Sequence, residues 1–130
     1  MGKMAQRKGK QFEKDVIARL LTEWGASVEV RDTRPEQAAI GGGRDLDMQF
    51  RGSRHKVPLC LQASHAKQPQ FYGKLAEAQG SARPGELSAA IIRQDRKPIV
   101  VIMSFDDWLL AMGMAIAKLV EEFNGREKGN

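Results

Sequence analysis

The sequence predicts an α/β domain: a mixed central sheet of about five strands flanked by helices, in the order helix, three strands, helix, two strands, helix. Three observations lead there. Phe12, Val16, Leu20 and Trp24 recur every four residues, with Ile17 and Leu21 beside them, which is the stripe of a helix packed on a core. Val28 and Val30 alternate with polar neighbours, and so do Leu46, Met48 and Phe50, the period of half-buried strands. Val57 to Ala63 is nearly all apolar, as expected of a central strand covered on both faces.

The elements follow in order. Met1 to Lys8 is expected as a basic, mobile arm that tightens into a helix, clearest from Lys10 to Trp24, and Gly25 caps that helix. Ala26 to Arg31 is the first strand. Asp32 to Gly43 is a loop holding Arg34, Pro35 and the run Gly41-Gly42-Gly43. Arg44 to Phe50 is the second strand, Arg51 to Lys56 a basic turn, and Val57 to Ala63 the third strand. Ser64 to Pro69 is a polar link. Gln70 to Gly80 is helical, with Phe71, Leu75 and Ala78 on one side. Pro84-Gly85 marks a loop. Leu87 to Arg93 and Pro98 to Met103 are the last two strands, joined by the polar turn Gln94 to Lys97. Ser104 caps the final helix, with Asp107 at the fourth place of a start that resembles a capping box. That helix carries Trp108, Leu109, Met112, Ile116, Leu119, Val120 and Phe123. Met112, Met114 and Ile116 are expected in the core, with a dimer face as the alternative. Gly125 to Asn130 is a polar tail, and the 130 residues form one domain without repeats.

A net charge of +5 and a pI near 9.6 fit an anionic partner such as nucleic acid, or equally an inert basic surface. The single cysteine, Cys60, excludes an internal disulfide and a Cys-rich zinc site, and its apolar strand makes it a small buried residue. No apolar run approaches membrane-spanning length and the start lacks a signal-peptide core, so an intracellular protein is expected. The glycine run lacks the Lys-Ser/Thr of a P-loop, so it reads as a sharp turn.

Asp45 and Asp47 fall on one polar face of the second strand, which makes a metal site at the mouth of a hairpin; the alternative is a pair of solvated acids, or partners of Arg44 and Arg51. Magnesium-assisted hydrolysis of a phosphodiester needs hard oxygen ligands and a cation converging on one point. Gln62 and Ser64 share a face of the third strand. His55 and His65 read as solvated loop residues, His65 being placed close to Gln62. Lys8, Lys10, Arg31, Arg34, Arg44, Arg51, Arg54, Lys56 and Lys67 cluster around this region without interleaved aromatics. Such a set suits the phosphates of duplex or branched nucleic acid better than a stacked single strand.

The whole arrangement resembles the PD-(D/E)XK nuclease superfamily, especially its small Holliday-junction-resolvase-like and phage VRR-NUC-like members. The resemblance runs from Arg7-Lys8-Gly9-Lys10-Gln11-Phe12-Glu13, like the family's opening helix, to Pro98-Ile99-Val100-Val101-Ile102-Met103. Gly43-Arg44-Asp45-Leu46 falls where the family has its Pro-Asp element, and Gln62-Ala63-Ser64 where it has Glu-x-Lys. The resemblance implies a restriction-endonuclease-like fold and a cytoplasmic protein of a bacterial or phage-infected cell, commonly a homodimer. It implies an endonuclease on Holliday junctions or duplex DNA that uses magnesium or manganese. Glu13, Asp45 and Asp47 would hold the metal, Gln62 would be a neutral ligand, and Lys67 would stand in for the lysine missing at Ser64. The changed Glu-x-Lys positions also imply an alternative: a nuclease fold that binds DNA, or a nucleic-acid-processing partner, without cleaving. A phosphate- or acid-binding domain with no nucleic-acid role is a further alternative.

Overall fold

A computed structural model describes residues 2–32 and 46–128 of the chain. Asp45, Arg34, Arg44 and the run Gly41 to Gly43 lie outside the described residues. The order is α1 (Gly2–Trp24), β1 (Val28–Asp32), β2 (Leu46–Phe50), β3 (Leu59–Ala66), α2 (Phe71–Ser81), β4 (Leu87–Gln94), β5 (Val100–Ile102) and α3 (Phe105–Lys128). The expected α/β class and element order are what is observed.

The strands form one sheet in the order β1-β2-β3-β4-β5. It is mixed: β3 and β4 run parallel, while β1–β2, β2–β3 and β4–β5 are antiparallel. Among the described residues, β2 pairs with β3 at Leu46 and Leu61. α2 supplies the crossover that a parallel pair requires.

The helical stripe of α1 covers one face of the sheet. Phe12 and Val16 are buried against Val28, Met48, Val57, Leu61, Ala63, Ala89 and Ile91. Side chains alternate across a strand, so Cys60, Gln62, Ala90 and Ile92 point to the other face, where α2 buries Leu75 and Ala78. Cys60 is a buried free thiol, as its strand position predicts. Gly25 closes α1 because nothing larger fits: a Cβ there would lie 2.3 Å from the Leu21 carbonyl oxygen.

Several boundaries differ from expectation. The helix takes in the segment from Gly2 that was expected as an arm, because Lys8 is anchored to Asp95 at the far end of the sheet. β3 runs three residues past Ala63, since pairing with β4 continues to Ala66 and Gln94. β5 is only Val100–Ile102, and α3 continues to Lys128. Ser104 does cap α3, its Oγ accepting the Asp107 N–H at 3.1 Å, but the Asp107 carboxylate turns to accept the Ser88 N–H at 3.0 Å and ties the helix start to β4. The expectation that Met112, Met114 and Ile116 lie in the core is corrected: they are 41%, 61% and 60% exposed, because α3 touches its own domain only near its first turns.

Candidate functional site

The face of the sheet under α2 gathers part of the expected site. Met48 packs in the α1-side core, so Asp47, one residue away, points to the opposite face together with Gln62 and Ser64. Asp47 is buried, with 4% of its side chain exposed, and Lys56 Nζ lies 2.8 Å from its Oδ2. Arg83, just past α2, stands 4.0 Å from its Oδ1. Gln62 is buried in β3 beside Ala90 of β4, and Ser64 is half-buried beside Ile92. The hairpin turn explains the Lys56 contact: Lys56 returns beside β2, bridged to Gln49, and its long side chain reaches the polar face.

Glu13 is half-buried on α1, the helix that covers the opposite face. Divalent magnesium needs several hard oxygens at once. The described residues of this face offer the Asp47 carboxylate, paired with Lys56, the Gln62 amide oxygen and the Ser64 hydroxyl, so by themselves they do not fit such an ion. Among the described residues no group of three His, Cys, Asp or Glu side chains is placed to hold a metal.

The expected basic residues separate into two ends. Arg51 leans on the α1–β1 corner: its Nε donates to the Gly25 carbonyl at 2.7 Å, a terminal nitrogen donates to the Val28 carbonyl at 3.3 Å, and Glu29 is 3.6 Å away. Arg54 is exposed in the same turn, and Lys56 is engaged by Asp47. Arg31 belongs to β1, paired with Asp47 in register.

Lys8 and Lys67 lie at the other end, where the parallel strands β3 and β4 finish. Lys8 Nζ contacts both Asp95 carboxylate oxygens at 2.8 Å, and His65 Nε2 lies 2.9 Å from Oδ1. The Asp95 N–H donates to the Ala66 carbonyl at 3.1 Å, which brings Lys67 to the same place. Lys8 first, with His65, holds the Asp95 carboxyl below its ordinary range against a smaller opposing effect of burial. His65 also packs edge-on to Phe12, ring centroids 5.7 Å apart, so it is a built-in part of the α1 face rather than a solvated loop residue. Lys10 is exposed on the next turn of α1.

Arg7, Arg93, Arg96 and Lys97 complete this end, and sequence reasoning had not joined them to it. Arg93 pairs with His65 in register, and Arg96 and Lys97 follow Asp95 in the β4–β5 turn. Arg96 takes the left-handed backbone conformation, φ 64°, which a side chain disfavours. The signal available was the charge run Arg93 to Lys97; its neighbours come from segments about thirty and ninety residues earlier and required the fold. An apolar groove of about 600 Å³ lies elsewhere, between the starts of α2 and α3, lined by Phe71, Tyr72, Leu75, Ile102, Met103 and Phe105.

Among the described residues no helix is long and apolar enough to cross a membrane. Compared with known proteins, the chain matches no family model, no curated protein and no solved structure.

Proposed function

We propose that this chain is a DNA-binding protein on a restriction-endonuclease-like scaffold, gripping branched or duplex DNA by its phosphates without cutting it. One observation carries the reading: three distant segments, carrying Arg7 and Lys8, Lys67, and Arg93, Arg96 and Lys97, meet at the end of the sheet where Lys8 and His65 bind Asp95. The carboxyl ends of parallel strands are where open α/β sheets receive ligands, and clustered cations there suit a phosphate backbone. The mixed sheet, with α1 and α2 on opposite faces, supports the scaffold. The pairing of Asp47 with Lys56 supports binding over cleavage, since it commits that carboxylate to a cation of the chain itself.

A second reading, a magnesium-dependent junction endonuclease with Asp45 as its principal ligand, is favoured by the same pair seen differently. Lys56 puts a cation beside an acid on the Gln62 face, the charge that Ser64 does not supply.

The test is incubation of the full chain with labelled four-way junction, duplex and single-stranded DNA, with magnesium or manganese. The first reading expects tight, salt-sensitive retention of junction or duplex without cleavage products. Products that disappear in Asp45→Ala and Lys56→Ala would establish the second reading instead. Absence of any binding at low salt would overturn both.

A further inference from the structure

We propose that α3 is a self-association helix, and that two copies of this chain pair through it in antiparallel fashion about a two-fold axis beside Gly113 and Ala115. The inference does not rest on nucleic-acid binding. Phe105, Leu109, Met112, Ile116, Leu119 and Phe123 follow one another at spacings of 4, 3, 4, 3 and 4. That alternation is the seam of a coiled coil. Every residue of the seam stands in solvent, between 41% and 70% exposed.

The seam is not a core stripe that failed to meet its own sheet. The domain holds α3 by another side: Asp107 binds the Ser88 N–H, and Asp107 and Ala111 are the half-buried residues of its first turns. At 100° per residue the seam lies roughly opposite them. Docking the seam on the same sheet would break the Ser104 cap and the Asp107 link.

The occupant is read from the seam's symmetry. Its spacing is the same from either end, so a reversed copy centred on Met114 sets Phe105 against Phe123, Leu109 against Leu119 and Met112 against Ile116. Gly113 then meets Gly113 and Ala115 meets Ala115 at the axis, where small residues let the backbones approach. On the flanks, Asp106 falls beside Val120 and Trp108 beside Glu122, so no like charges oppose each other. A parallel pair would bring the two Asp106-Asp107 ends together and align the helix dipoles. The size also fits. Six seam residues with Trp108 and Val120, each about half exposed, would bury roughly 100 Å² apiece, or about 1,600 Å² over two copies, the size of a stable specific interface.

The experiment is sedimentation velocity or light scattering on the full chain across a concentration series. The expected mass is twice the 14.4 kDa of one chain. Ile116→Lys and Leu119→Glu, both at exposed positions, are expected to return the single-chain mass with unchanged far-ultraviolet circular dichroism. Gly113→Cys is expected to give a covalent dimer on oxidation, while the wild-type chain, whose Cys60 is buried, gives none. A wild-type chain that stays monomeric at every concentration overturns the proposal. So does a dimer that both substitutions leave intact, or a dimer in which Gly113→Cys does not cross-link.

Discussion

Lys8 Nζ lies 2.8 Å from both carboxylate oxygens of Asp95, 87 residues further along the chain. The contact pins the first turns of α1 to the β4–β5 turn, and it titrates. Asp95 is held below its ordinary value of 3.8 by Lys8 and then His65. The folded value lies under the unfolded one, so the link is complete above the ordinary value and is lost as pH falls through the folded one. Secondary chemical shifts of residues 2–10 should stay helical from neutral pH down to about that value and move toward coil below it, ahead of Val16 to Trp24. Asp95→Asn should remove the step. An identical acid profile in wild type and Asp95→Asn would refute the coupling.

Asp47 is buried and Lys56 neutralises it. Removing Lys56 leaves buried Asp47 with the longer approach of Arg83, at 4.0 Å, whereas removing both Asp47 and Lys56 takes the buried charge away. Because Lys56 is 41% exposed, Lys56→Ala should cost only about 2 kcal/mol in urea unfolding. The double variant Asp47→Ala/Lys56→Ala should cost clearly less than the sum of the singles, in a double-mutant cycle. Strict additivity would mean that the pair contributes nothing.

Gly25 has no room for a side chain. A Cβ 2.3 Å from a backbone oxygen forces the α1–β1 corner to shift. Gly25→Ala should destabilise by about 1–3 kcal/mol, read as a lowered thermal midpoint. Gly9→Ala, where a Cβ meets nothing within 4 Å, should be neutral or stabilising.

Arg96 holds a left-handed conformation that glycine adopts freely. Arg96→Gly should therefore stabilise the fold by up to about 1 kcal/mol while weakening DNA retention. Stabilisation without loss of binding would show that the guanidinium plays no part in the grip.

The basic end is also testable by salt. Each lost phosphate contact lowers the slope of log affinity against log salt by about 0.9. Arg93→Glu combined with Lys97→Glu should lower it by about two such steps in fluorescence anisotropy. Arg51→Glu combined with Arg54→Glu, at the opposite end, should leave it nearly unchanged. Equal effects from both pairs would refute the assignment of the grip to the carboxyl ends of β3 and β4.

Much of the architecture was legible because it is periodic. The stripe at Phe12 and Val16, the alternation at Leu46 and Met48 and the apolar run at Leu59 to Ala63 each report one element and the face it buries. Of the candidate site, the polar face of Asp47 on β2 and the shared face of Gln62 and Ser64 on β3 were legible for the same reason, while their meeting on one side of the sheet needed the strand pairing. The ion pair of Asp47 with Lys56 was not, since it depends on how the hairpin turn returns. The outward seam of α3 was written in its spacing, but spacing alone does not tell an outward seam from an inward one.

By itself the sequence determined the α/β class, the order of elements, the burial of Cys60 and the cap at Ser104. All of these depend on residues within a turn or two of each other, where sterics and hydrogen bonding are local. Only the tertiary structure decided that Lys8 and His65 meet at Asp95, that Arg51 braces a corner instead, and that α3 leaves its apolar seam in water. Those facts depend on which strand ends and helix faces packing brings together, and long-range packing is not set by any local pattern.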